Sequence, residues 1–331
     1  MHSLNSQSTQ KTALLTESTA VVFDQPGSLS LQTLQLPEPG PGEVLVDINW
    51  SGISTGTERL LWTGAMPPFP GLAYPLVPGY ESVGTVIKTG PDCQLTEGQT
   101  VFVPGAQCYG EIRGLFGGTS SRLVTPESRI RPIHADLGQN GALLALTATA
   151  YHALKDNPEG VLPGLIIGHG VLGRLLARLV IAMGGEAPVV WETNERRRHG
   201  AVGYRVTEPG EGVDAPLASI VDASGADGIV DQLVPLLAPR GEIVLAGFYS
   251  QPVAFAFPLA FMKEARLRIA AEWKPSDFDD VCALVQANPA LLEGLVTHSL
   301  PAERAPEAYT TAFEDPDCLK MILDWKGALP Q

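Results

Sequence analysis

The chain has 331 residues and a formal net charge of −14, so it is long enough for two domains with cores of their own. The acidic balance argues against a nucleic-acid partner and against attachment to a membrane through basic patches. No stretch of about 18 uncharged apolar residues occurs, so no membrane-spanning segment is expected. The cysteines are scattered without a C-x-x-C pair, which indicates neither a disulfide framework nor a zinc knuckle.

The first part of the chain has a pattern typical of β-structure. Residues 1–12 are rich in Ser and Gln and lack the apolar core of a signal peptide, so we expect a disordered tail and a globular cytoplasmic protein. Beyond them, short alternating apolar runs separated by Gly and Pro predict strands at 20–23, 42–48, 82–87 and 99–103. These strands predict a compact barrel-like domain.

The second part alternates strands with helices. A helix predicted over 141–155 leads out of the barrel, and another over 277–287 precedes a short β/α tail. Alternation of this kind is typical of a parallel sheet covered by helices. Buried strands are expected at 165–167, 188–191, 218–223 and 242–247, with a further helix over 229–237.

The segment that organises this second part is a G-x-G-x-x-G motif between a predicted strand and a predicted helix. The first Gly permits a tight turn, the second lets the backbone approach a pyrophosphate, and the third lets the helix pack against the strand. Free N–H groups and the positive end of the helix dipole would face the phosphates. Arg174 and Arg178 lie on the helix face opposite the apolar residues. The cofactor-binding residues predicted from the motif are Gly168, Gly170, Val171, Leu172 and Gly173.

An acidic residue, Glu192, directly follows the next predicted strand, at about the distance expected for the acid that binds the adenosine ribose. Its carboxylate would accept from the ribose 2′-OH and repel a 2′-phosphate, which favours NAD over NADP. Arg196, Arg197 and Arg198 follow closely and oppose this interpretation, because Arg can hold a 2′-phosphate; Arg197 is therefore kept as a cofactor-binding candidate. Alternatively, Glu192 merely begins the next helix.

Further motifs resemble the medium-chain dehydrogenase/reductase family. They are Pro-Glu-Pro-Gly-Pro-Gly-Glu-Val-Leu-Val at 37–46 and the segments 146–154, 239–247 and 320–324. The resemblance covers nearly the whole chain and implies an α/β fold: a GroES-like β-barrel catalytic domain, completed by C-terminal strands, plus a doubly wound Rossmann cofactor domain. It implies a tail at 1–12, a catalytic domain at 13–150 and 288–331, a cofactor domain at 151–287, and hydride transfer in the cleft between them.

Zinc-dependent members of this family hold a catalytic metal with Cys, His and a second Cys or acid. The resemblance puts the first ligand position at Ser54, or at Thr55 if a one-residue gap is placed differently. The His position is Tyr80 and the third is Ala145. These side chains cannot form the tetrahedral N/S site that Zn²⁺ takes, so we expect no metal.

A more particular resemblance comes from Gly-Ile-Ser-Thr-Gly-Thr-Glu-Arg-Leu-Leu-Trp-Thr-Gly at 52–64 and from the segments 67–71 and 74–81. It is to the family that oxidises the C3 1-hydroxyethyl group of a (bacterio)chlorophyllide to acetyl in bacteriochlorophyll a biosynthesis. The resemblance implies an NAD-dependent enzyme with a tetrapyrrole substrate.

The two resemblances also imply roles for individual residues. Tyr80 is the candidate to accept or share the hydroxyl proton, directly or through Thr57 or Ser54, although Tyr80 could simply fill the volume of the missing His and metal. Glu81 is expected to pair with Lys320 beneath the site. Thr149, Ala246 and Phe248 should border the nicotinamide, and Ser224 and Gly225 should lie near the adenosine side. The flat macrocycle would meet Trp62, Met66, Phe69, Tyr74 and Phe116, unless these residues form the core of the barrel.

Two other functions remain open. A zinc-free quinone or enoyl reductase of the same superfamily would usually take NADPH, which Glu192 opposes. A non-catalytic relative that binds nucleotide or pigment would also lack the metal positions. The oligomeric state is open as well, a homo-oligomer included.

Overall fold

The computed structural model describes residues 16–68, 70–155, 160–214, 216–249 and 251–328. The predicted tail and the substrate candidate Phe69 therefore lie outside the described residues. Among the described helices, none combines the length and apolar character needed to cross a bilayer.

The first half of the described chain is a β-structure with a single short α-helix between its third and fourth strands. The strands are β1 (Thr16–Gln25), β2 (Ser28–Leu36), β3 (Glu43–Ile53), β4 (Leu76–Val77), β5 (Ser82–Thr89), β6 (Thr100–Val103), β7 (Arg113–Gly114), β8 (Arg122–Pro126) and β9 (Arg131–Pro132), with helix α1 at Thr57–Thr63. All four strands predicted here are present, within β1, β3, β5 and β6.

The second half alternates strands and helices as predicted. Its elements are α2 (Leu144–Lys155), β10 (Leu165–Ile167), α3 (Val171–Ala182), β11 (Val189–Trp191), β12 (Arg205–Thr207), β13 (Leu217–Asp222), α4 (Ile229–Leu233), β14 (Leu237–Leu245), α5 (Phe257–Met262), β15 (Arg266–Ile269), α6 (Pro275–Ala287), β16 (Val296–Pro301), α7 (Ala305–Glu314) and β17 (Lys320–Asp324). The helix predicted over 229–237 is shorter, because Pro235 lies in a 3₁₀ turn that ends it.

Strands β10 to β15 of the second half form a parallel sheet in the order β12-β11-β10-β13-β14-β15. This is the doubly wound order of dinucleotide-binding domains. Alternate residues face opposite layers, as the two-residue period of a strand requires. Ile166 and Val221 pack towards α2, α3 and α6, whereas Leu165, Ile220 and Ile243 pack towards α4.

The barrel contains two sheets in the described residues. One runs β2-β1-β4-β7, and the other runs β16-β17-β3-β5-β6-β9 with β8 also paired to β3. The C-terminal strand β17 pairs antiparallel with β3, from Met321 opposite Ile53 to Asp324 opposite Trp50. The chain therefore returns from the parallel sheet to complete the barrel, which confirms the expected contribution of the C-terminal segment.

Candidate active site

The glycine motif lies between β10 and α3, as predicted. Gly168 has a φ of +91°, in the left-handed region that favours glycine. A Cβ on Gly173 would lie 1.8 Å from the carbonyl oxygen of Gly168, so only glycine allows this close approach. A Cβ on Gly170 would meet no atom within 4 Å, so the turn faces open space there. Because the first N–H groups of α3, including those of Val171 and Leu172, have no partner within the helix, the turn is suited to a pyrophosphate.

Glu192 lies at the end of β11 and against this glycine turn. One carboxylate oxygen accepts a hydrogen bond from the backbone N–H of His169 at 2.9 Å, and the other accepts from that of Asn194 at 2.8 Å. These bonds hold the carboxylate beside the turn. The alternative that Glu192 begins a helix is wrong, since a short 3₁₀ turn, Glu195–Arg197, starts only after Asn194.

His169, the second residue of the motif, is buried beneath the turn. Its Nδ1 lies 2.6 Å from the carbonyl oxygen of Arg197, and its Nε2 lies 2.8 Å from the Tyr204 hydroxyl. Because a carbonyl only accepts, Nδ1 carries the proton and Nε2 accepts from Tyr204. Burial lowers the pKa of His169 to about 4, so the imidazole is neutral at physiological pH.

The arginines of α3 lie on the face predicted, but that face is buried too. Arg174 donates to the carbonyl oxygens of Arg197, His199 and Gly200, and Arg178 donates to carbonyl oxygens in the segment 290–293. Helix α3 therefore holds the loop after β11 through Arg174 and the segment 290–293 through Arg178.

Two of the three arginines of that loop, Arg196 and Arg197, are directed towards the C-terminal segment. Arg196 forms an ion pair with Asp317, and Nε of Arg197 donates to the carbonyl oxygen of Pro316 at 2.9 Å. Arg198 pairs with Glu208 and donates to the carbonyl oxygen of Glu192. The guanidinium groups that could have held a 2′-phosphate are thus engaged elsewhere.

The remaining cofactor candidates lie at the carboxyl ends of β13 and β14, apart from Thr149 on α2. Ser224 approaches Gly168, where a Cβ would lie 3.3 Å from it, and Gly225 is packed against the carbonyl group of Phe248. The backbone N–H of Ala246 donates to the carbonyl oxygen of Asp222, at the end of β13. The hydroxyl of Thr149 donates to the Ala145 carbonyl oxygen at 3.1 Å.

The three catalytic candidates form a cluster of hydroxyl groups. The Tyr80 hydroxyl donates to Oγ of Ser54 at 2.7 Å and lies 3.3 Å from Oγ1 of Thr57. Ser54 follows β3, Thr57 begins α1, and Tyr80 lies between β4 and β5. The sequence left open whether Ser54 or Thr55 stands at the first metal-ligand position. Ser54 is buried beside Tyr80 whereas Thr55 is exposed, which favours Ser54. Gly79 keeps Tyr80 in place, since its φ is +94° and a Cβ would lie 2.0 Å from Oγ1 of Thr119.

The environment of Tyr80 opposes its ionisation. Burial and the neighbouring Glu81 carboxylate raise the pKa of the Tyr80 hydroxyl well above its ordinary value, and the hydrogen bonds to Ser54 and Thr57 only partly offset this effect. In the free protein Tyr80 is thus a neutral hydrogen-bond donor, not the phenolate that would accept a proton.

The donor atoms at the three metal positions do not fit zinc. Ser54 and Tyr80 offer only hydroxyl oxygens, and Ala145, buried on α2, offers no side-chain donor. Across the part of the chain that the structure describes, no group of three or more His, Cys, Asp or Glu side chains could hold a metal ion.

Of the four described aromatic and Met candidates, Phe116 is the one that contacts the hydroxyl cluster. Its ring meets that of Tyr80 edge-on, with 5.3 Å between the centroids. Trp62 packs edge-on against Phe23 of the barrel core, and the Tyr74 hydroxyl donates back to the carbonyl oxygen of Leu61. Trp62, Tyr74 and Met66 are all partly buried against this core, so the packing role that the sequence left open is present for each.

Two buried carboxylates lie beneath the cluster. Glu81 accepts from Nζ of Lys320 at 2.6 Å, the pairing expected from the resemblance. Glu58 accepts from the Ser54 N–H at 3.0 Å and from the Tyr309 hydroxyl at 2.6 Å. Sequence reasoning missed this second group, although an acid on the inner side of a short helix was a signal for it.

Comparison with known proteins agrees with this geometry. Residues 40–135 match the model of the alcohol dehydrogenase GroES-like domain. The structure of acetophenone reductase from Geotrichum candidum, in complex with NAD, superimposes with a TM-score of 0.78 at 20% identity, covering 93% of this chain and 97% of that one. The fold and the matched domain define the class as the medium-chain dehydrogenases/reductases, with a GroES-like barrel and a Rossmann domain.

Two curated relatives narrow this class. The 2-desacetyl-2-hydroxyethyl bacteriochlorophyllide A dehydrogenase of Rhodobacter capsulatus is 57% identical, covering 94% of this chain and 99% of the relative. The protein of the same name from Cereibacter sphaeroides is also 57% identical, covering 93% of this chain and 98% of its own. The chain therefore belongs to the family of 2-desacetyl-2-hydroxyethyl bacteriochlorophyllide A dehydrogenases.

Replacing the glycines of the turn one at a time separates their role in cofactor binding from their role in packing. Gly170→Ala should leave the melting temperature unchanged, because the new methyl group meets open space, yet it should weaken NADH binding by roughly 10- to 100-fold by keeping the pyrophosphate from the backbone. Gly173→Ala should lower both quantities, because its methyl group would collide with the carbonyl oxygen of Gly168. Fluorescence titration and thermal unfolding provide the measurements. Wild-type NADH affinity in Gly170→Ala would show that the pyrophosphate binds elsewhere.

Proposed function

We propose that this chain oxidises the 1-hydroxyethyl group of a (bacterio)chlorophyllide to an acetyl group with NAD⁺, a step of bacteriochlorophyll a biosynthesis. The observation that carries the proposal is the 57% identity, over nearly the whole of both chains, to two proteins named for that activity. The cluster of hydroxyl groups formed by Ser54, Thr57 and Tyr80 is compatible with this activity.

The reaction removes a hydride from the carbinol carbon and a proton from its hydroxyl group, leaving a ketone. NAD⁺, when bound, supplies the hydride acceptor. Zinc enzymes of this superfamily acidify the alcohol first. The macrocycle attached to the carbinol carbon reduces that need, because its conjugated system stabilises positive charge as the hydride departs.

Within this proposal Tyr80 orients the substrate by hydrogen bonding to the carbinol oxygen. Its raised pKa keeps a proton on the hydroxyl group, and that proton is donated within the cluster, so the phenol oxygen accepts the hydrogen bond of the alcohol. As the alcohol proton passes to the Tyr80 oxygen, the proton of Tyr80 passes to Thr57, and no free phenolate forms. Ser54 is the buried end of the cluster, and Thr57 is its partly exposed end. The proton of the alcohol would therefore leave through Thr57 towards solvent.

The substrate and cofactor roles of the other residues are part of the proposal. Phe116 stacks on the macrocycle beside Tyr80, and Trp62, Met66 and Tyr74 support that surface from the barrel core. The pyrophosphate binds at the glycine turn and Glu192 binds the ribose. We also propose the domain ranges 13–150 with 288–331 for catalysis and 151–287 for the cofactor.

The central experiment is an absorbance assay of the purified protein with NAD⁺ and a 3-hydroxyethyl chlorophyllide, with and without a chelator. Formation of NADH together with a shift of the macrocycle bands, unchanged by chelation, supports the proposal. A band shift without NADH formation would indicate a pigment-binding protein. Turnover of quinones or enones with NADPH, and none of the chlorophyllide, would indicate a reductase.

Tyr80→Phe tests the hydroxyl cluster. Phe keeps the ring contact with Phe116 and removes only the hydroxyl, so kcat should fall by about 10²-fold or more while NADH affinity stays the same. Since the pKa of Tyr80 is raised, the substitution should remove no ionisation of Tyr80 itself from the pH–rate profile below about pH 10. Ser54→Ala and Thr57→Ala each remove one of the other two hydroxyl groups and show which of the three the reaction needs. An unaltered kcat in Tyr80→Phe would remove Tyr80 from the reaction.

Glu192→Gln tests the preference for NAD. The amide keeps the size of the side chain but loses its charge, so NAD⁺ efficiency should fall by roughly 10-fold. The gain with NADP⁺ should be small, because Arg196 and Arg197 are engaged by Asp317 and Pro316. Adding Asp317→Ala should release Arg196 and increase NADP⁺ efficiency further. Equal efficiency of the wild-type enzyme with the two cofactors would contradict the assignment.

A further inference from the structure

Glu58 is a buried ionisable group that the proposed reaction does not use. Only 1% of the residue is exposed, whereas the next residue of α1, Arg59, faces solvent. Its carboxylate contacts neither the Tyr80 hydroxyl nor the hydroxyl groups of Ser54 and Thr57. A carboxylate is costly to bury unless hydrogen-bond donors surround it, so its partners show what the group does there.

Both carboxylate oxygens of Glu58 face hydrogen-bond donors. One accepts from the backbone N–H of Ser54 at 3.0 Å, and the other accepts from the hydroxyl of Tyr309 on α7 at 2.6 Å. The backbone N–H of Glu58 in turn donates to the Ser54 carbonyl oxygen at 3.2 Å. Residues 54 and 58 are thus joined twice, which fixes the turn between β3 and α1.

That turn carries the acceptor for Tyr80, since Oγ of Ser54 lies 2.7 Å from the Tyr80 hydroxyl. Tyr309 is itself held in place, because its ring packs edge-on against Phe23 with 5.2 Å between the centroids. A rigid aromatic residue from the C-terminal segment therefore sets the position of the carboxylate, and the carboxylate sets the position of Ser54.

We propose that Glu58 is a positioning residue of the oxidation, which acts through Ser54 to aim the hydroxyl of Tyr80 at the carbinol oxygen of the substrate. This inference rests on the proposed function. It predicts that Glu58 matters for turnover only while Tyr80 has its hydroxyl group.

The charges around Glu58 add a second readout. It faces Lys320 from β17, Tyr80 and Glu81 from the segment before β5, and Tyr309 from α7. Burial, reinforced by Glu81, raises the pKa of Glu58 to about 7 against the effect of its hydrogen bonds and of Lys320. The carboxylate is therefore protonated below about pH 7 and ionised above it. The charged form accepts the stronger hydrogen bond from the Ser54 N–H.

A double-mutant cycle tests the proposal, using Glu58→Gln, Tyr80→Phe and their combination, with Tyr309→Phe as the milder variant. Glu58→Gln should lower kcat about tenfold in the wild-type background, leave NADH affinity unchanged, and cost less than about twofold in the Tyr80→Phe background. Tyr309→Phe, which leaves the bond to Ser54 intact, should show the same dependence on Tyr80 with a smaller factor. The rise of kcat through about pH 7 should be present in the wild type and absent from Glu58→Gln.

Hydrogen exchange of the unliganded protein provides a readout apart from activity. Glu58→Gln should accelerate exchange in the segment 52–60 and leave the segment 165–175, which carries the glycine turn, unchanged. Equal losses of kcat in the two backgrounds, or exchange accelerated in both segments, would overturn the proposal and leave Glu58 a general stabiliser of the fold. If the wild-type enzyme does not oxidise the chlorophyllide, or if Tyr80→Phe alone leaves kcat unchanged, the proposed function fails instead.

Discussion

The ion pair between Glu81 and Lys320 is the interaction on which the cluster of Ser54, Thr57 and Tyr80 depends. Its atoms are 2.6 Å apart, and the two residues are 1% and 3% exposed. Removing two charges from water is costly, so neither partner is tolerable there without the other. The pair joins β17 to β5 directly under Tyr80, and Gly52 has to be glycine because a Cβ would lie 2.5 Å from the Glu81 carboxylate. The negative charge held there also keeps the proton on Tyr80.

The C-terminal segment unites the two halves of the molecule. Within the stretch 309–320, Tyr309 reaches Glu58 in the barrel, Asp317 reaches Arg196 beside the glycine turn, and Lys320 reaches Glu81. The proposed cofactor site and the hydroxyl cluster are thus both contacted by one short stretch of chain. A substitution in that stretch would therefore alter contacts at both sites.

Much of this arrangement follows from the sequence because it rests on local rules. The glycine turn, the acid at the end of β11 and the alternation of strands and helices depend on neighbours a few residues apart. The pairing of Glu81 with Lys320 was also predicted, but from the resemblance to a family. The pattern of apolar and polar residues could not have predicted a contact between residues so distant along the chain.

The sequence did not reveal where polar side chains are buried. Arg174 and Arg178 are on the predicted helix face, yet they bind backbone carbonyls, and carbonyls leave no trace in the sequence. Glu58 and Tyr309 are 251 positions apart, so their contact depends on the complete barrel. For Trp62 and Tyr74, composition could not distinguish a substrate-facing aromatic ring from one that packs on the core.

The buried imidazole within the glycine motif has a consequence for how the turn responds to pH. An ordinary histidine changes its charge between about pH 6 and 7. His169 donates to a carbonyl, accepts from Tyr204 and has a pKa of about 4, so it stays uncharged over that range. The imidazole therefore adds no positive charge beside the glycine turn when the surroundings acidify through that range.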